Sequence, residues 1–379
     1  MKILITGGSG FIGSYLCDLL FRKEHDVVII DNLQEQIHGE DKYNSFLFRS
    51  IAGKARFYEE DILNSPSLGE LIEETDIIVH LAAETGVGQS MYNVFNYVRT
   101  NSLGTANILE QLVKKNNNLK KFILASSRAV YGEGRYKCPE HGIVYPDDRD
   151  IKDLHKGEFE CKCSECGKSL EPISTDEGSK ISPKSVYGIS KYNQEELVRS
   201  ICGNINIPYT IFRFQNVYGM GQPYGNPYTG IISIFSKLSC EKKKINVFED
   251  GLQSRDFIHA SDVSEAIYLD ILSKENNQIY NVGTGIKSSL IDIIKIIGEL
   301  NSRTPEYEIS GSFRVGDIRH SFADISKISN LLGFKPKVSL RDGMHEVMKW
   351  VENLKVRSVV KPYESSIKEL KKYNLYYKK

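Results

Sequence analysis

The chain opens with MKILITGGSGFIG, residues 1–13, and this stretch decides the fold. The β-branched run KILIT leads into a glycine-rich turn, and an apolar helix-forming segment follows. Gly7 suits a tight turn, Gly10 allows the backbone to approach a pyrophosphate, and Gly13 allows the helix to pack on the strand. A strand, a turn and a helix in this order predict a dinucleotide site. We expect Phe11 and Ile12 to border the dinucleotide together with these glycines.

Further β-branched segments follow up to residue 127, separated by longer amphipathic stretches: DVVIID, ARFYEED, DIIVHLAA and KKFILASS. This alternation predicts an α/β fold, a Rossmann-type doubly wound parallel sheet. Residues 1–215 are predicted to form the dinucleotide-binding domain, with a surface insertion at residues 135–182, where the periodicity is lost. We expect residues 216–345 to form a smaller, interleaved C-terminal substrate lobe, and residues 346–379 a charged, exposed helical tail.

The end of the second predicted strand bears on the choice of dinucleotide. Asp31 and Asn32 stand there, where a carboxylate accepts hydrogen bonds from ribose hydroxyls and repels a 2′-phosphate. This position favours NAD over NADP. Two alternatives remain at this stage: Asp31 caps a helix or turn, or the nearby Arg49 and Lys54 serve a 2′-phosphate.

A Tyr-x-x-x-Lys motif marks the predicted catalytic centre. Tyr187 and Lys191 lie four residues apart in VYGISKYNQEELV, so both side chains project from one helix face. An ammonium group beside a phenol lowers its pKa, which makes Tyr187 a general base toward a sugar hydroxyl, and Lys191 can also bind a cofactor ribose. The strand end FILASSRAVYG supplies Ser127 to hydrogen-bond the reacting oxygen, with Ser126 in support.

Cysteine and histidine residues in the insertion have the spacing of a metal site. CPEH and CSEC each place two ligand-type side chains around two intervening residues. The predicted ligands of a structural zinc ion are Cys138, His141, Cys163 and Cys166. Cys161 is a spare thiol or substitute ligand, and His155 is another possible substitute. Four protein ligands leave no open position for catalysis. The alternative is a reduced or redox-active loop without metal.

The overall charge and hydropathy narrow the range of partners. The chain of 379 residues carries 49 basic and 49 acidic side chains, so no global field attracts nucleic acid or an anionic membrane. No stretch offers the roughly 20 apolar residues of a membrane span, and the start does not resemble a signal peptide. We therefore expect a cytoplasmic protein with neither a nucleic-acid nor a membrane partner.

Several motifs occur in the order found in one known family: TGGSGFIG, Asp31-Asn32, LAAETGVGQS, SSRAVYG, YGISK, FQNVYG and SRDFIH. Over roughly residues 1 to 345 the chain resembles the extended short-chain dehydrogenases, the nucleotide-sugar epimerase and dehydratase group. The resemblance implies a catalytic set of Ser127, Tyr187 and Lys191. It implies cofactor contacts at Asp61, Ile62, Ala82, Ala83 and Asn101. It implies substrate diphosphate contacts at Asn216, Arg255 and Arg314, besides Ser127 at the sugar. A homodimer is also implied, through the helices around residues 94–114 and 187–201.

Two positions after the serine strand distinguish reactions within that group. Dehydratases of the family carry an Asp-Glu pair there, whereas this chain has Arg128 and Ala129. A 4-epimerase needs only reversible hydride transfer, a base and room for the keto sugar to turn, so epimerisation is favoured. The SSRAVYGEG stretch, the cysteine insertion and FQNVYGMGQPYGNPYTGIISIF resemble the dTDP-L-rhamnose 4-epimerases, which make dTDP-6-deoxy-L-talose.

Other activities on the same scaffold stay open from the sequence. They include 4-epimerisation of a UDP-, GDP- or CDP-sugar, and decarboxylation or reduction of a nucleotide sugar. A non-catalytic nucleotide-binding protein is disfavoured because Ser127, Tyr187 and Lys191 are all present.

Overall fold

The computed structural model describes residues 1–115, 118–223, 230–354 and 363–378, with no side chains described at 363–365. The strands in chain order are β1 (Lys2–Thr6), β2 (Asp26–Asp31), β3 (Arg56–Glu59), β4 (Ile77–His80), β5 (Lys121–Ser127), β6 (Tyr136–Cys138), β7 (Gly142–Val144), β8 (Glu171–Pro172), β9 (Tyr209–Phe214), β10 (Asn216–Tyr218), β11 (Ile245–Val247), β12 (Ser254–His259), β13 (Gln278–Val282), β14 (Lys287–Ser289), β15 (Tyr307–Ile309), β16 (Phe313–Arg314), β17 (His320–Ser321) and β18 (Tyr376–Tyr377).

The α-helices in chain order are α1 (Phe11–Arg22), α2 (Glu35–His38), α3 (Phe46–Ile51), α4 (Leu68–Glu73), α5 (Val87–Ser90), α6 (Val94–Tyr97), α7 (Gly104–Lys114), α8 (Ile151–Lys156), α9 (Val186–Asn204), α10 (Ile231–Cys240), α11 (Ala260–Leu272), α12 (Leu290–Leu300), α13 (Ser326–Leu332), α14 (Leu340–Asn353) and α15 (Tyr363–Lys372). A π-helical turn, Val98–Leu103, joins α6 to α7, and 3₁₀ turns occupy Lys42–Asn44 and Arg128–Tyr131. None of the helices in the described ranges is long and apolar enough to cross a membrane.

A parallel sheet of seven strands organises the fold, in the order β13-β9-β5-β4-β1-β2-β3. Ile5 of β1 lies between Ile29 of β2 and Val79 of β4, and all three are fully buried because helices cover both faces of the sheet. The chain reverses direction across the sheet between β1 and β4, and ligands bind at such a switch point. The predicted α/β Rossmann-type fold is therefore confirmed.

Two apolar layers enclose this sheet. On one face α1 packs against α11, with Leu16, Leu20 and Val263 buried among the strand side chains. On the other face α4, α7 and α9 bury residues such as Ile108 and Val198. These layers hold the carboxyl ends of β1, β4 and β5 at one edge, where the predicted functional residues lie.

A third apolar cluster forms the core of the smaller lobe. It joins α10, α12 and α14 and buries residues such as Phe235, Ile293 and Val347. Between α11 and α12 the chain returns to the main sheet as β13, which pairs with β9. The segment 216–345 thus contributes both to the lobe and to the Rossmann sheet.

Residues 346–379 do not form the exposed helical tail that we expected, because their first helix is partly buried. In α14 the side chains of Met344, Val347, Met348 and Val351 are buried in the lobe core. Their i, i+3, i+4, i+7 spacing makes an apolar stripe, which the surrounding charged residues obscured. Further on, β18 pairs antiparallel with β16. The parts of this tail at 355–362 and 379 lie outside the described residues.

Candidate active site

The glycine-rich turn brings β1, β4 and α1 into close backbone contact. Gly7 adopts a φ of 71°, and a Cβ there would lie 2.6 Å from the backbone nitrogen of Ala82. A Cβ on Gly13 would lie 2.5 Å from the carbonyl oxygen of Gly7. Helix α1 begins at Phe11 after Gly10, with no acidic side chain in its first turn. The open cradle and the helix N-terminus suit a pyrophosphate, and so the turn fits a dinucleotide.

The carboxylate of Asp31 is fixed at the end of β2. It accepts hydrogen bonds from the backbone N–H of Ser9 at 3.1 Å and of Leu33 at 2.9 Å. Asn32 follows and donates to the Asp61 carboxylate at 3.2 Å. These polar groups stand beside the glycine turn, where the adenosine ribose of a dinucleotide would lie.

Lys54, one of the two cations considered as a partner for a 2′-phosphate, forms an ion pair with another residue. Lys54 forms an ion pair of 2.6 Å with Asp18 of α1. This contact engages one of the two cations considered for a 2′-phosphate, and the carboxylate of Asp31 stays consistent with NAD.

The other predicted cofactor contacts line the edge after β3 and β4. Ile62 is buried, and its carbonyl oxygen accepts a hydrogen bond from Asn107 of α7. The half-buried Ala82 and Ala83 follow β4 directly, and the Ala82 N–H approaches the hydroxyl of Thr6 at 3.4 Å. Both alanines are small enough to let a planar ring approach the sheet edge.

Asn101 is buried and joins two parts of this edge. Its side-chain oxygen accepts from the backbone N–H of Glu84 at 2.8 Å, and its amide donates to the Ser190 hydroxyl at 2.9 Å. It ties the loop after β4 to α9, the helix that carries Tyr187. In this structure Asn101 therefore positions neighbouring elements.

Ser127 and Tyr187 lie in contact, and Lys191 follows Tyr187 by one turn of α9. Ser127 ends β5, and its hydroxyl oxygen accepts from the backbone N–H of Ala129 at 3.2 Å. Burial raises the pKa of Tyr187, and interactions with the Ser127 hydroxyl and with the positive charge of Arg128 act in the opposite direction. Ser127 thus adjoins the phenol that the motif marks as the base.

The amine of Lys191 is bound to the backbone, whereas we expected it to act on the phenol of Tyr187. It donates a hydrogen bond of 2.9 Å to the carbonyl oxygen of Ala125, and burial lowers its pKa to about 7. Arg128 is the cation that acts on the phenol of Tyr187 here. From the sequence, Arg128 indicates only that a dehydratase acid is lacking, and its charge at the site is not evident.

Ser126 supports the site from behind. Its hydroxyl bonds to the buried carboxylate of Glu195, which also forms an ion pair of 2.7 Å with Arg213. Both partners of this pair are buried, and their hydrogen bonds join β5, β9 and α9. Ser126 therefore fixes the end of the strand that presents Ser127.

A cavity next to Arg128 brings three arginine side chains together, with Glu249 and Asp317 also in its lining. Its lining includes Arg128, Asn216, Arg255 and Arg314. Arg128 donates a hydrogen bond of 2.9 Å to the side-chain oxygen of Asn216, and Arg314 pairs with Asp317 at 2.8 Å. Arginine side chains bind phosphate oxygens through two parallel hydrogen bonds, so this lining suits a diphosphate.

Arg255 is held by backbone carbonyl groups. Its guanidinium donates to the carbonyl oxygens of Ile318 at 2.7 Å and of Arg319 at 3.0 Å. Burial lowers the pKa of Arg255, and the same effect, with the positive charge of Arg255 nearby, lowers the pKa of Arg128. Two neighbouring, half-buried positive charges favour an anionic ligand. The motif residues 224–229 of this region lie outside the described residues.

The insertion forms its own three-stranded antiparallel sheet, β7-β6-β8. The ligand atoms of Cys138, His141, Cys163 and Cys166 all lie within 4.8 Å of one another. These are the four residues that the spacing predicted. Cys161 lies apart from this cluster with its thiol against the Tyr136 hydroxyl at 3.5 Å.

Comparison with known proteins identifies the family. Residues 4–148 match the model for GDP-mannose 4,6 dehydratase, and residues 162–283 match the model for the NAD dependent epimerase/dehydratase family. The chain is 36% identical to the dTDP-L-rhamnose 4-epimerase of Burkholderia thailandensis, over 92% of this chain and 94% of that protein. It is 33% identical to a putative UDP-glucose 4-epimerase of Methanocaldococcus jannaschii, over 93% and 98% of the two chains.

Solved structures agree in fold. UDP-glucuronic acid 4-epimerase from Bacillus cereus, in complex with UDP-glucuronic acid and NAD, superposes with a TM-score of 0.75 at 29% identity, covering 93% of this chain and all of that one. UDP-glucose 4-epimerase from Thermotoga maritima, with UDP-glucose, superposes with a TM-score of 0.73 at 28% identity, covering 92% of this chain and 98% of that one. The chain belongs to the NAD-dependent epimerase/dehydratase family of extended short-chain dehydrogenases, as its motifs predicted. It is similar to NAD-dependent nucleotide-sugar epimerases, which are isomerases.

Proposed function

We propose that this protein is an NAD-dependent 4-epimerase that interconverts dTDP-L-rhamnose and dTDP-6-deoxy-L-talose. The observation that carries the proposal is the contact of Tyr187 with Ser127 and with Arg128, which lines an arginine-containing cavity, in a fold whose glycine turn suits a dinucleotide. The finer choice of sugar rests on similarity to the Burkholderia enzyme.

The chemistry follows from the positions of the side chains. Tyr187 removes the proton of the sugar C4 hydroxyl, and Ser127 hydrogen-bonds the same oxygen. Bound NAD supplies reversible hydride acceptance at C4. The pocket retains the 4-keto sugar while it rotates, and Tyr187 returns the proton to the oxygen of the new epimer. Lys191, held on Ala125, lies one helical turn from Tyr187 and is proposed to bind the cofactor ribose.

The residues after β5 favour epimerisation over dehydration. Loss of water from a sugar needs an acid and a base beside the serine, and this chain has Arg128 and the buried Ala129 there. A guanidinium does not exchange a proton near neutral pH. The match of residues 4–148 to a dehydratase model accordingly supports the nucleotide-binding fold rather than that reaction.

We propose that Arg128, Arg255 and Arg314 bind the diphosphate of the substrate, with Asn216 orienting Arg128. All four line one cavity, and the Arg128 to Asn216 hydrogen bond sets the position of the guanidinium. Charge-assisted hydrogen bonds of this kind hold the nucleotide fixed while the sugar turns.

A homodimer is part of the proposal. Large apolar side chains are exposed on α6, α9 and the π-helical turn, which pack side by side: Val94, Phe95, Val98, Leu103 and Ile189. A contiguous apolar patch of this kind is typical of a protein interface. A second copy of the same helices would cover it and form a four-helix interface.

We also propose a structural zinc ion at the cysteine and histidine cluster, and a cytoplasmic location. Four ligands close the coordination sphere, so the ion takes no part in hydride or proton transfer. Cysteines that form no disulfide are typical of a reducing compartment.

The test is to incubate purified protein with dTDP-L-rhamnose, without added NAD, and to follow the C4 configuration by proton NMR. We expect the talose epimer to form, and Tyr187→Phe to abolish its formation while nucleotide binding persists. If the protein converted UDP-glucose or UDP-glucuronic acid but not dTDP-L-rhamnose, the proposed substrate would be wrong. Net accumulation of reduced cofactor would contradict epimerisation altogether.

A further inference from the structure

The insertion has too small an apolar core to hold its own fold. Its own buried cluster consists of Tyr136 and Leu170 together with three cysteines, while Leu154 and Phe159 pack outward against Phe313. Chains with so little apolar burial need a cross-link or a metal ion to stay ordered. Cys138, Cys163 and Cys166 form no disulfide and stand with His141 close enough to share one metal ion.

The distances within the cluster fit tetrahedral coordination. The sulfur atoms of Cys138 and Cys166 are 3.6 Å apart, and His141 Nδ1 lies 3.5 Å from the Cys138 sulfur and 3.4 Å from the Cys163 sulfur. A tetrahedral zinc ion has Zn–S bonds of about 2.3 Å and a Zn–N bond of about 2.0 Å. Its ligand atoms therefore lie about 3.5 to 3.8 Å from one another.

The surroundings of the cluster fit a metal site as well. His141 turns its other ring nitrogen, Nε2, toward the carboxylate of Glu165 at 3.5 Å, as metal-bound histidines commonly do. Each ligand pair is followed by a glycine with a φ of 70°, Gly142 and Gly167. The backbone N–H of Gly167 donates to the Cys163 carbonyl at 2.8 Å, which closes the turn around the ligand pair.

Cys161 and His155, the two possible substitute ligands, contact other residues. Cys161 is buried against Tyr136, and His155 packs edge-on against the rings of Phe313 and Tyr377. Cys161 therefore serves as an internal control for loss of a thiol.

The polypeptide next to this cluster supports the wall of the substrate cavity. Glu160 lies three residues before Cys163 and forms hydrogen bonds of 2.6 and 2.9 Å with the fully buried guanidinium of Arg319. The other carboxylate oxygen of Glu160 lies 3.0 Å from His320. The insertion is thus fastened to the segment that follows β16.

That segment in turn holds Arg255. The carbonyl oxygens of Ile318 and Arg319 accept the guanidinium hydrogen bonds of Arg255, which lines the cavity. A second insertion residue, Arg149, donates to the carbonyl oxygen of Asp317 at 2.7 Å and pairs with Glu249 at 2.8 Å. Both contacts brace the same wall from outside the cavity.

We infer that the insertion binds zinc through Cys138, His141, Cys163 and Cys166, and that the metal-bound insertion positions the diphosphate-binding Arg255 through Glu160 and Arg319. The coupling to binding rests on the diphosphate role proposed for Arg255. The metal site stands on the cluster geometry alone.

The metal site is tested on the full-length protein purified without chelators or added metal. Elemental analysis should give about one zinc per chain. His141→Ala should lose the ion, while His141→Cys, which supplies a fourth thiolate, and Cys161→Ser should keep it. Wild-type protein with less than about 0.2 zinc per chain, or His141→Ala with full zinc, would overturn the metal site.

The coupling is tested by titrating dTDP and UDP into the same protein by calorimetry. Glu160→Gln should keep its zinc and weaken binding of whichever nucleotide the wild type takes by severalfold, because Arg319 loses one anchor. In turnover assays its KM should rise while kcat stays within about twofold. Glu158→Gln, an exposed insertion carboxylate paired with Lys162, is the matched control.

The outcomes separate the two proposals. Wild-type binding by Glu160→Gln would overturn the coupling and leave the zinc site standing. Absence of epimerase activity with intact zinc and nucleotide binding would instead reject the proposed reaction while leaving both structural claims in place.

Discussion

The guanidinium of Arg128 donates a 2.9 Å hydrogen bond to the side-chain oxygen of Asn216, linking the residue after β5 to the first strand of the smaller lobe. Among the described residues, Arg128 forms no ion pair with a carboxylate within 4.0 Å. Arg128 is half-buried beside Arg255, and its positive charge lowers the pKa of Tyr187. One side chain therefore lines the arginine-containing cavity and also acts on the proposed base.

Arg128→Gln should both weaken binding of the substrate and shift the pH dependence of kcat. Loss of a charged hydrogen bond costs about 1.5–3 kcal/mol, so KM for the nucleotide sugar should rise by about tenfold or more. Arg128 lowers the pKa of Tyr187, so its removal raises that pKa. A base must be ionised to act, and the rise of kcat with pH should therefore move to higher pH. Steady-state kinetics at several pH values measure both effects.

Two variants control this prediction. Arg199→Gln removes an exposed arginine of α9 that pairs with Glu196, and it should leave KM and the pH profile unchanged. Arg128→Lys keeps the charge but loses the planar fork, so the pH profile should move less than KM does. An unchanged pH profile in Arg128→Gln would show that the charge does not act on Tyr187.

Asp31→Asn should relax the preference for NAD. The carboxylate is held by the N–H groups of Ser9 and Leu33 at the end of β2, with its charge available to a ribose. Its neutralisation should weaken NAD binding by about tenfold and reduce the discrimination against NADP, since charge repulsion is lost. Fluorescence titration of both dinucleotides measures the ratio. Asp26→Asn, at the exposed start of the same strand, should change neither affinity.

The glycine turn and the cysteine and histidine cluster could be predicted because local spacing determines most of their contacts. Gly7 and Gly13 act within one turn, and Cys163 with Cys166 within one knuckle. Long-range contacts could not be predicted in this way. The partner of Lys191 is Ala125, 66 residues away, and the contact between Arg128 and Asn216 spans 88.

The end of the chain shows the same limit. Charged residues between Met344 and Val351 hid a buried helical stripe, since burial of its apolar side depends on α10 and α12. The pairing of β18 with β16 is equally invisible in a short, tyrosine-rich segment. Tertiary packing, rather than local composition, decides these elements.

Phe95→Glu should convert a dimer into a monomer. Phe95 is 77% exposed at the centre of the apolar patch on α6 and the π-helical turn. A carboxylate there would be buried without a partner if two copies met, which is strongly unfavourable. Light scattering after gel filtration should give twice the chain mass for the wild type and the single mass for the variant. Phe21→Glu, on α1, should stay dimeric, and a monomeric wild type would refute the interface.

Gly13→Ala and Gly203→Ala should have opposite effects on stability. A Cβ on Gly13 would overlap the Gly7 carbonyl oxygen and, at 2.6 Å, the Gly8 Cα, and both contacts are with backbone that has no room to move. Gly13→Ala should therefore lower Tm by several degrees and reduce the NAD retained on purification. Gly203, near the end of α9, has nothing within 4 Å of its Cβ position. Alanine there restricts the unfolded chain and favours the helix by about 0.5–1 kcal/mol, so Tm should rise by about 1–3 °C. Calorimetry with and without excess NAD measures both variants. A Gly13→Ala protein with unchanged Tm and full NAD would show that the turn does not need glycine where the helix meets the strand.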